Sequence, residues 1–178
     1  MFVFGGSKGA RSINRALKAN LSGLLPRCQI IYVTGTTDWE EMQQFYDSLP
    51  DADKQNYKIF PYLHEEMGAA FSAADLIISR AGASTLGEFP LFGVPAILVP
   101  YPYAWRYQKV NADYLVSKNA ALMIKDEDLP EKMTGAVTDL LDHPEKLSAM
   151  KAAMKGLAMP DAARNILDIL KAAAKKQF

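Results

Sequence analysis

The sequence predicts an α/β fold: a Rossmann-like parallel sheet of six strands with helices on both faces and extra helices toward the C-terminus. Two observations carry that prediction. Short apolar runs of strand length recur through residue 124, and the segments between them have helical period. That alternation marks βαβ units, whose strands are covered on both sides.

The elements follow in order. Met1–Phe4 is a bare apolar strand that runs into Gly5-Gly6-Ser7-Lys8-Gly9-Ala10, with a helix expected over Ala10–Leu25. Gln29–Val33 and Lys58–Phe60 are the next strands, separated by a helix over Asp38–Leu49. Leu76–Ser79, Ala96–Val99 and Ala121–Ile124 complete the sheet, with helices over Glu65–Ala74, Ser84–Phe92 and Tyr107–Lys118 between them. After the sixth strand only helices are expected, over Pro130–Leu141, Pro144–Leu157 and Pro160–Lys175, each opened by a proline tolerated in a first turn. No linker, repeat or second domain interrupts residues 1–178, which read as one domain.

Composition narrows the function. The 20 basic and 20 acidic side chains balance, which removes the electrostatic footprint of a nucleic-acid binder. Cys28 is the single cysteine, so neither a disulfide framework nor a cysteine-rich zinc site is available, and a reduced, packed thiol is expected. Two histidines, His64 and His143, are too few for a histidine-rich metal site, and His143 reads as part of a solvated turn. No metal or other cofactor is expected. No apolar run reaches the roughly 18 residues of a membrane span, and Met1 leaves no room for a signal peptide, so the cytoplasm is the expected compartment.

The first turn suits an anion. Glycine lets the backbone approach a ligand, while the free N–H groups of the following helix favour phosphate. A tight structural turn is the competing reading. Neither the Walker A ending nor the G-x-G-x-x-G dinucleotide pattern is present. Doubly wound sheets bind ligands at the carboxyl ends of their strands. The loops Gly5–Gly9, Pro61–Glu66, Arg80–Ser84 and Tyr101–Tyr107 are therefore the places to search. Arg80-Ala81-Gly82-Ala83-Ser84-Thr85 makes a second glycine-containing turn into a helix. Glu88 has two readings, a capping box with Thr85 or acceptance of two vicinal ribose hydroxyls; from the residues alone the cap is favoured. Gly87, inside a helix, suggests close approach by another group. Tyr101, Tyr103, Trp105, Tyr107, Gln108 and Asn111 combine stacking faces with amides, which suits a sugar or simply covers the sheet edge. In Asp126-Glu127-Asp128, Asp128 is expected to cap the next helix.

Taken together, Phe4-Gly5-Gly6-Ser7-Lys8-Gly9-Ala10-Arg11, Ser79 to Thr85 with Glu88, Gly93-Val94-Pro95-Ala96, and Pro100-Tyr101 with Gln108 and Asn111-Ala112 resemble the MurG family of transferases, glycosyltransferase family 28. The resemblance implies one half of a GT-B fold: the UDP-GlcNAc donor-binding domain of an inverting enzyme of peptidoglycan synthesis, which passes N-acetylglucosamine to a lipid-linked MurNAc-pentapeptide. It implies that Gly5, Gly6, Ser7, Lys8 and Gly9 hold the UDP diphosphate. Leu63 or His64 would offer backbone groups to uracil, and Glu88 would bind the ribose. Gln108 would reach the sugar, Asn111 would support that helix or the sugar, and Arg80, Gly82, Ala83, Ser84 and Thr85 would shape the second turn. Tyr107 stands where the family usually has His or Gln, which leaves one sugar contact and the donor preference open. No catalytic residue is expected in this half. The N-terminal acceptor-binding domain, through which the lipid-linked acceptor is held, is expected to be the missing partner. The full enzyme is expected to be peripheral on the cytoplasmic face of the membrane.

Other readings remain: a donor-binding subunit of a split GlcNAc transferase, a UDP-GlcNAc epimerase, and a non-catalytic Rossmann nucleotide module. Against NAD, Val33-Thr34-Gly35-Thr36 lacks an acidic residue where the second strand ends. The amphipathic C-terminal segment around Ile166, Leu167, Ile169 and Leu170 is expected to pack on this domain's own core, with docking against the other half as the alternative.

Overall fold

In a computed structural model, residues 1–174 are described, with backbone alone for 104–106. The strands are β1 (Phe2–Phe4), β2 (Ile30–Val33), β3 (Tyr57–Phe60), β4 (Ile77–Ser79), β5 (Ala96–Leu98) and β6 (Ala121–Met123). They form one parallel sheet in the order β3-β2-β1-β4-β5-β6. The order reverses between β1 and its neighbour β4, which opens the crevice where such sheets take ligands.

The helices are α1 (Arg11–Leu24), α2 (Trp39–Asp47), α3 (Asp51–Asn56), α4 (Met67–Ala73), α5 (Thr85–Phe92), α6 (Trp105–Ser117), α7 (Leu129–Asp142), α8 (Pro144–Lys155) and α9 (Ala162–Ala174). Alternating strand residues serve two cores, since successive side chains leave opposite faces of a strand. Val3, Ile78 and Ile97 pack with Ile13, Leu17 and Leu21 of α1 and with Met133, Val137 and Leu140 of α7. Phe2, Phe4, Ile77 and Leu98 pack on the other face with Phe71 of α4, Phe89 of α5 and Leu115 of α6. Phe71 meets both Phe2 and Phe4 edge-on, at centroid distances of 5.5 and 5.8 Å.

Four expectations require correction. The α3 helix was not expected, because Asp-Ala-Asp-Lys-Gln-Asn buries nothing and has no apolar period. It is held by charge: Asp51 and Asp53 lie in its first turn and Lys54 in its last, complementing the helix dipole. Pro160 does not open a helix, since α9 begins at Ala162. Lys175, its expected end, lies outside the described residues. Nor does α9 pack on the core. It has no buried residue, and Ile166, Leu167, Ile169 and Leu170 are all exposed. Asp128 stands at the N-cap position of α7, but its carboxylate takes Lys132 Nζ at 2.8 Å and makes no cap bond.

Candidate functional site

The first turn brings unpartnered amides to the crevice. Gly6 and Gly9 take φ values of +90° and +81°, a region that L side chains avoid, and Gly9 N–H closes the turn on Gly6 O at 2.9 Å. A Cβ on Gly9 would collide with the Thr34 carbonyl, so the turn can lie against the end of β2 only as glycine. Among the described residues, no backbone carbonyl accepts the N–H groups of Ser7, Lys8, Arg11, Ser12 or Ile13. Ala10, at the N-cap of α1, supplies no side-chain cap either. A cluster of free donors at the start of a 14-residue helix can hold an anion.

The second turn is built differently. Thr85, Leu86 and Gly87 return their N–H groups to Gly82, Ala83 and Ser84 at 3.0–3.2 Å, so its helix start is satisfied internally. Thr85 is buried, and its hydroxyl donates to Gly82 O at 2.6 Å. This corrects the capping-box reading: neither Ser84 nor Thr85 caps α5 through its side chain. Among the described residues the Glu88 carboxylate has no hydrogen bond and no ion pair. Gly87 also differs from expectation, because a Cβ there would meet nothing within 4 Å. Its missing side chain leaves space that no atom of the described residues fills.

Two concavities flank the first turn. One, of about 710 Å³, is lined by Gly6, Ser7, Leu63, His64, Ser84 and Glu88. Here the His64 N–H donates to the Glu66 carboxylate at 3.2 Å and its carbonyl accepts Met67 N–H at 3.4 Å. Those backbone contacts, led by Glu66's own N–H, hold the exposed Glu66 carboxyl below its ordinary range. The His64 ring stands edge-on against Tyr62 at 4.6 Å. The backbone N–H and C=O of Leu63 have no such partner among the described residues.

The other concavity, of about 500 Å³, is lined by Gly5, Lys8, Gly9, Arg80, Tyr101 and Gln108 together with Ser12, Asp38 and Asp126. Gln108 Oε1 accepts Tyr101 N–H at 2.9 Å. Only an oxygen can accept that proton, so the carboxamide is oriented, and its NH2 has no partner among the described residues. Asn111 does not reach this cavity: its Nδ2 donates to Ala81 O at 3.0 Å and ties α6 to the second turn. Tyr107 borders neither concavity and is 79% exposed. The Trp105 side chain lies outside the described residues.

Ser12, Asp38 and Asp126 were missed by sequence reasoning. Asp38 lies on the loop after β2, which was not among the loops to search. It is 7% exposed, with Oδ2 accepting Asn14 Nδ2 at 2.9 Å and Oδ1 accepting Arg11 Nη2 at 3.0 Å. A buried carboxylate requires such partners, but they lie 24 and 27 residues away and no local spacing announces them. Among the described residues, no group of three or more His, Cys, Asp or Glu is placed to hold a metal, and no helix is long and apolar enough to cross a membrane.

Residues 1–166 fit the model of the glycosyltransferase family 28 C-terminal domain. The chain belongs to glycosyltransferase family 28. Within the family it is 42% identical, over 96% of its length, to the UDP-N-acetylglucosamine–N-acetylmuramyl-(pentapeptide) pyrophosphoryl-undecaprenol N-acetylglucosamine transferase of Roseiflexus. Identity to the protein of that name from Chlorobium limicola is also 42%, again over 96% of the chain. These 178 residues cover 43% and 47% of those two proteins, so the chain spans less than half the length of the curated relatives it matches. The crystal structure of MurG from Acinetobacter baumannii superposes with a TM-score of 0.83 at 32% identity, covering 96% of this chain and 48% of that one. The family 28 fold and the six-stranded sheet expected from sequence are thus observed.

Proposed function

We propose that residues 1–178 form the UDP-GlcNAc donor-binding domain of an inverting transferase that acts on lipid-linked MurNAc-pentapeptide in peptidoglycan synthesis. The observation that carries this reading is the cavity shared by the Gly6-Ser7 turn, Leu63 and an unpartnered Glu88, in a chain 42% identical to transferases of that name. The diphosphate sits on the free amides of the first turn, and the ribose hydroxyls on Glu88. Uracil takes the unpaired backbone groups of Leu63, because those of His64 are already engaged. Gln108 donates its oriented NH2 to the sugar.

In this reaction an acceptor hydroxyl attacks the anomeric carbon and UDP departs with inversion. The charge growing on the leaving diphosphate meets N–H groups that are already aimed at it. The acceptor and the group that removes its proton belong to an N-terminal half outside these residues, and the complete enzyme works peripherally at the cytoplasmic face of the membrane. This half alone binds donor without turnover.

Calorimetric titration with UDP, ADP, UDP-GlcNAc and UDP-GalNAc tests the proposal. Binding that requires uridine, prefers GlcNAc and falls at least about tenfold in Glu88→Ala is expected, the scale of a hydrogen bond to a charged group. Binding of UDP and UDP-GlcNAc by the Glu88→Ala protein as tight as by the unsubstituted chain would overturn the ribose assignment.

A further inference from the structure

Arg80 was expected to shape the turn on which it lies, yet its guanidinium reaches across the sheet. Nη1 donates to Val99 O at 3.0 Å and to Asp126 Oδ1 at 2.5 Å, and Nη2 donates to Ser12 Oγ at 2.7 Å. Ser12 Oγ in turn donates to the same Asp126 oxygen at 2.6 Å, closing a triangle. Its members come from the first turn of α1, the end of β4 and the segment after β6. The side chains of Arg80 and Asp126 are only 11% and 20% exposed, so the pair is mostly shielded from water. The Arg80 guanidinium also lies 5.2 Å from the ring centre of Tyr101, whose N–H orients Gln108.

We infer that Arg80, Asp126 and Ser12 are positioning residues: a brace that holds the anion-binding start of α1 and the sugar-facing Gln108 in one fixed relation. Three of the guanidinium's donors are spent on this frame, and the residue acts on the ligand through what it holds. The inference rests on the donor-site reading for its ligand, while the brace itself is a statement about the frame. Arginine suits the role because its planar fork serves several acceptors at once, which a lysine ammonium on a flexible stem does not.

Two opposite signs test it. If Arg80 contacted the diphosphate directly, removing the neighbouring Asp126 carboxylate would strengthen binding of an anion, and Arg80→Lys would keep it. Under the brace, Asp126→Ala weakens UDP binding about tenfold, the loss of one charge-assisted hydrogen bond. Arg80→Gln weakens it alike, the double variant is no worse than either single one, and Arg80→Lys does not rescue. Stronger UDP binding by Asp126→Ala, or full retention by Arg80→Lys, would overturn the assignment. Should the unsubstituted chain not bind UDP, the donor-site reading fails by itself, and amide hydrogen exchange over Asn14–Leu17, the first amides of α1 that are bonded within the helix, decides the brace. Exchange about tenfold faster in both Asp126→Ala and Ser12→Ala is expected, and unchanged protection would refute it. Those two variants carry the comparison if Arg80→Gln does not fold.

Discussion

Replacing Asp38 separates a buried contact from an exposed one at the wall of the smaller cavity. Its partner Asn14 is 1% exposed, whereas the Arg11 side chain is 61% exposed. An ion pair with that much solvent on one side contributes about 0–1 kcal/mol. A hydrogen bond from a buried amide to a carboxylate contributes about 1.5–3 kcal/mol, because its loss leaves a desolvated donor behind. Asn14 Nδ2 keeps its second bond, to Thr34 O at 2.9 Å, so only one of its two protons is orphaned. Asp38→Asn retains an oxygen for that proton and gives up the charge; Asp38→Ala gives up both. The expected losses are about 1 kcal/mol for Asp38→Asn and for Arg11→Ala, and about 2–3 kcal/mol for Asp38→Ala. Urea unfolding followed by far-ultraviolet circular dichroism reads these as midpoint shifts at constant m-value. Equal losses for Asp38→Asn and Asp38→Ala would refute the reasoning, since the exposed charge rather than the buried bond would then dominate.

Gly9→Ala should destabilise the fold by more than about 2 kcal/mol, combining a left-handed backbone with a collision, whereas Gly6→Ala, with open space around it, should cost only the backbone share of about 1–2 kcal/mol; thermal melts that rank the two equally would contradict this. His143 Nδ1 faces the Asp139 carbonyl at 2.7 Å and its carboxylate at 3.3 Å, which raises the imidazole above its ordinary 6.5. Its contribution is therefore fully present below pH 6.5 and lost as pH rises through the raised folded value; an NMR titration should place that midpoint above 6.5, and His143→Gln should remove this part of the stability profile. Substituting Ile166 and Ile169 with serine should change the melting of this chain by no more than about 0.5 kcal/mol in free energy, because α9 buries nothing here.

The sheet was legible because its strands are simple. Phe2-Val3-Phe4 has to be buried on both faces, and a run of that kind between helical segments has few other places to go. The first turn was legible for a related reason, since glycine at a strand-to-helix junction reports a backbone demand directly. What escaped was whatever depends on distance in the chain. Asp126 looked like one of three adjacent acids near a helix start, yet the three part company: Asp126 to Arg80, Glu127 to Lys125 and Asp128 to Lys132. Local spacing assigned Glu88 to a cap. Folding gives the cap's donors to carbonyls three residues back, and no short pattern encodes that choice.

The same difference explains how the two turns divide their work. Both join a strand to a helix at the carboxyl edge of the sheet, and both contain glycine, so sequence alone treats them as equivalent. Among the described residues, the helix behind the first turn keeps its leading N–H groups free, while the helix behind the second consumes its own. The first turn can therefore hold an anion, and the second contributes side chains, above all a carboxylate that no described residue occupies. A diphosphate beside two vicinal hydroxyls has that same division of needs: donors for the phosphates and an acceptor for the hydroxyls. Because β1 and β4 are neighbours at the reversal of strand order, the two half-sites lie side by side without any further element to align them. Under the proposed donor-site reading, only the relation between the first turn and the edge formed by β5 and α6 has to be secured, and Arg80 spans that interval.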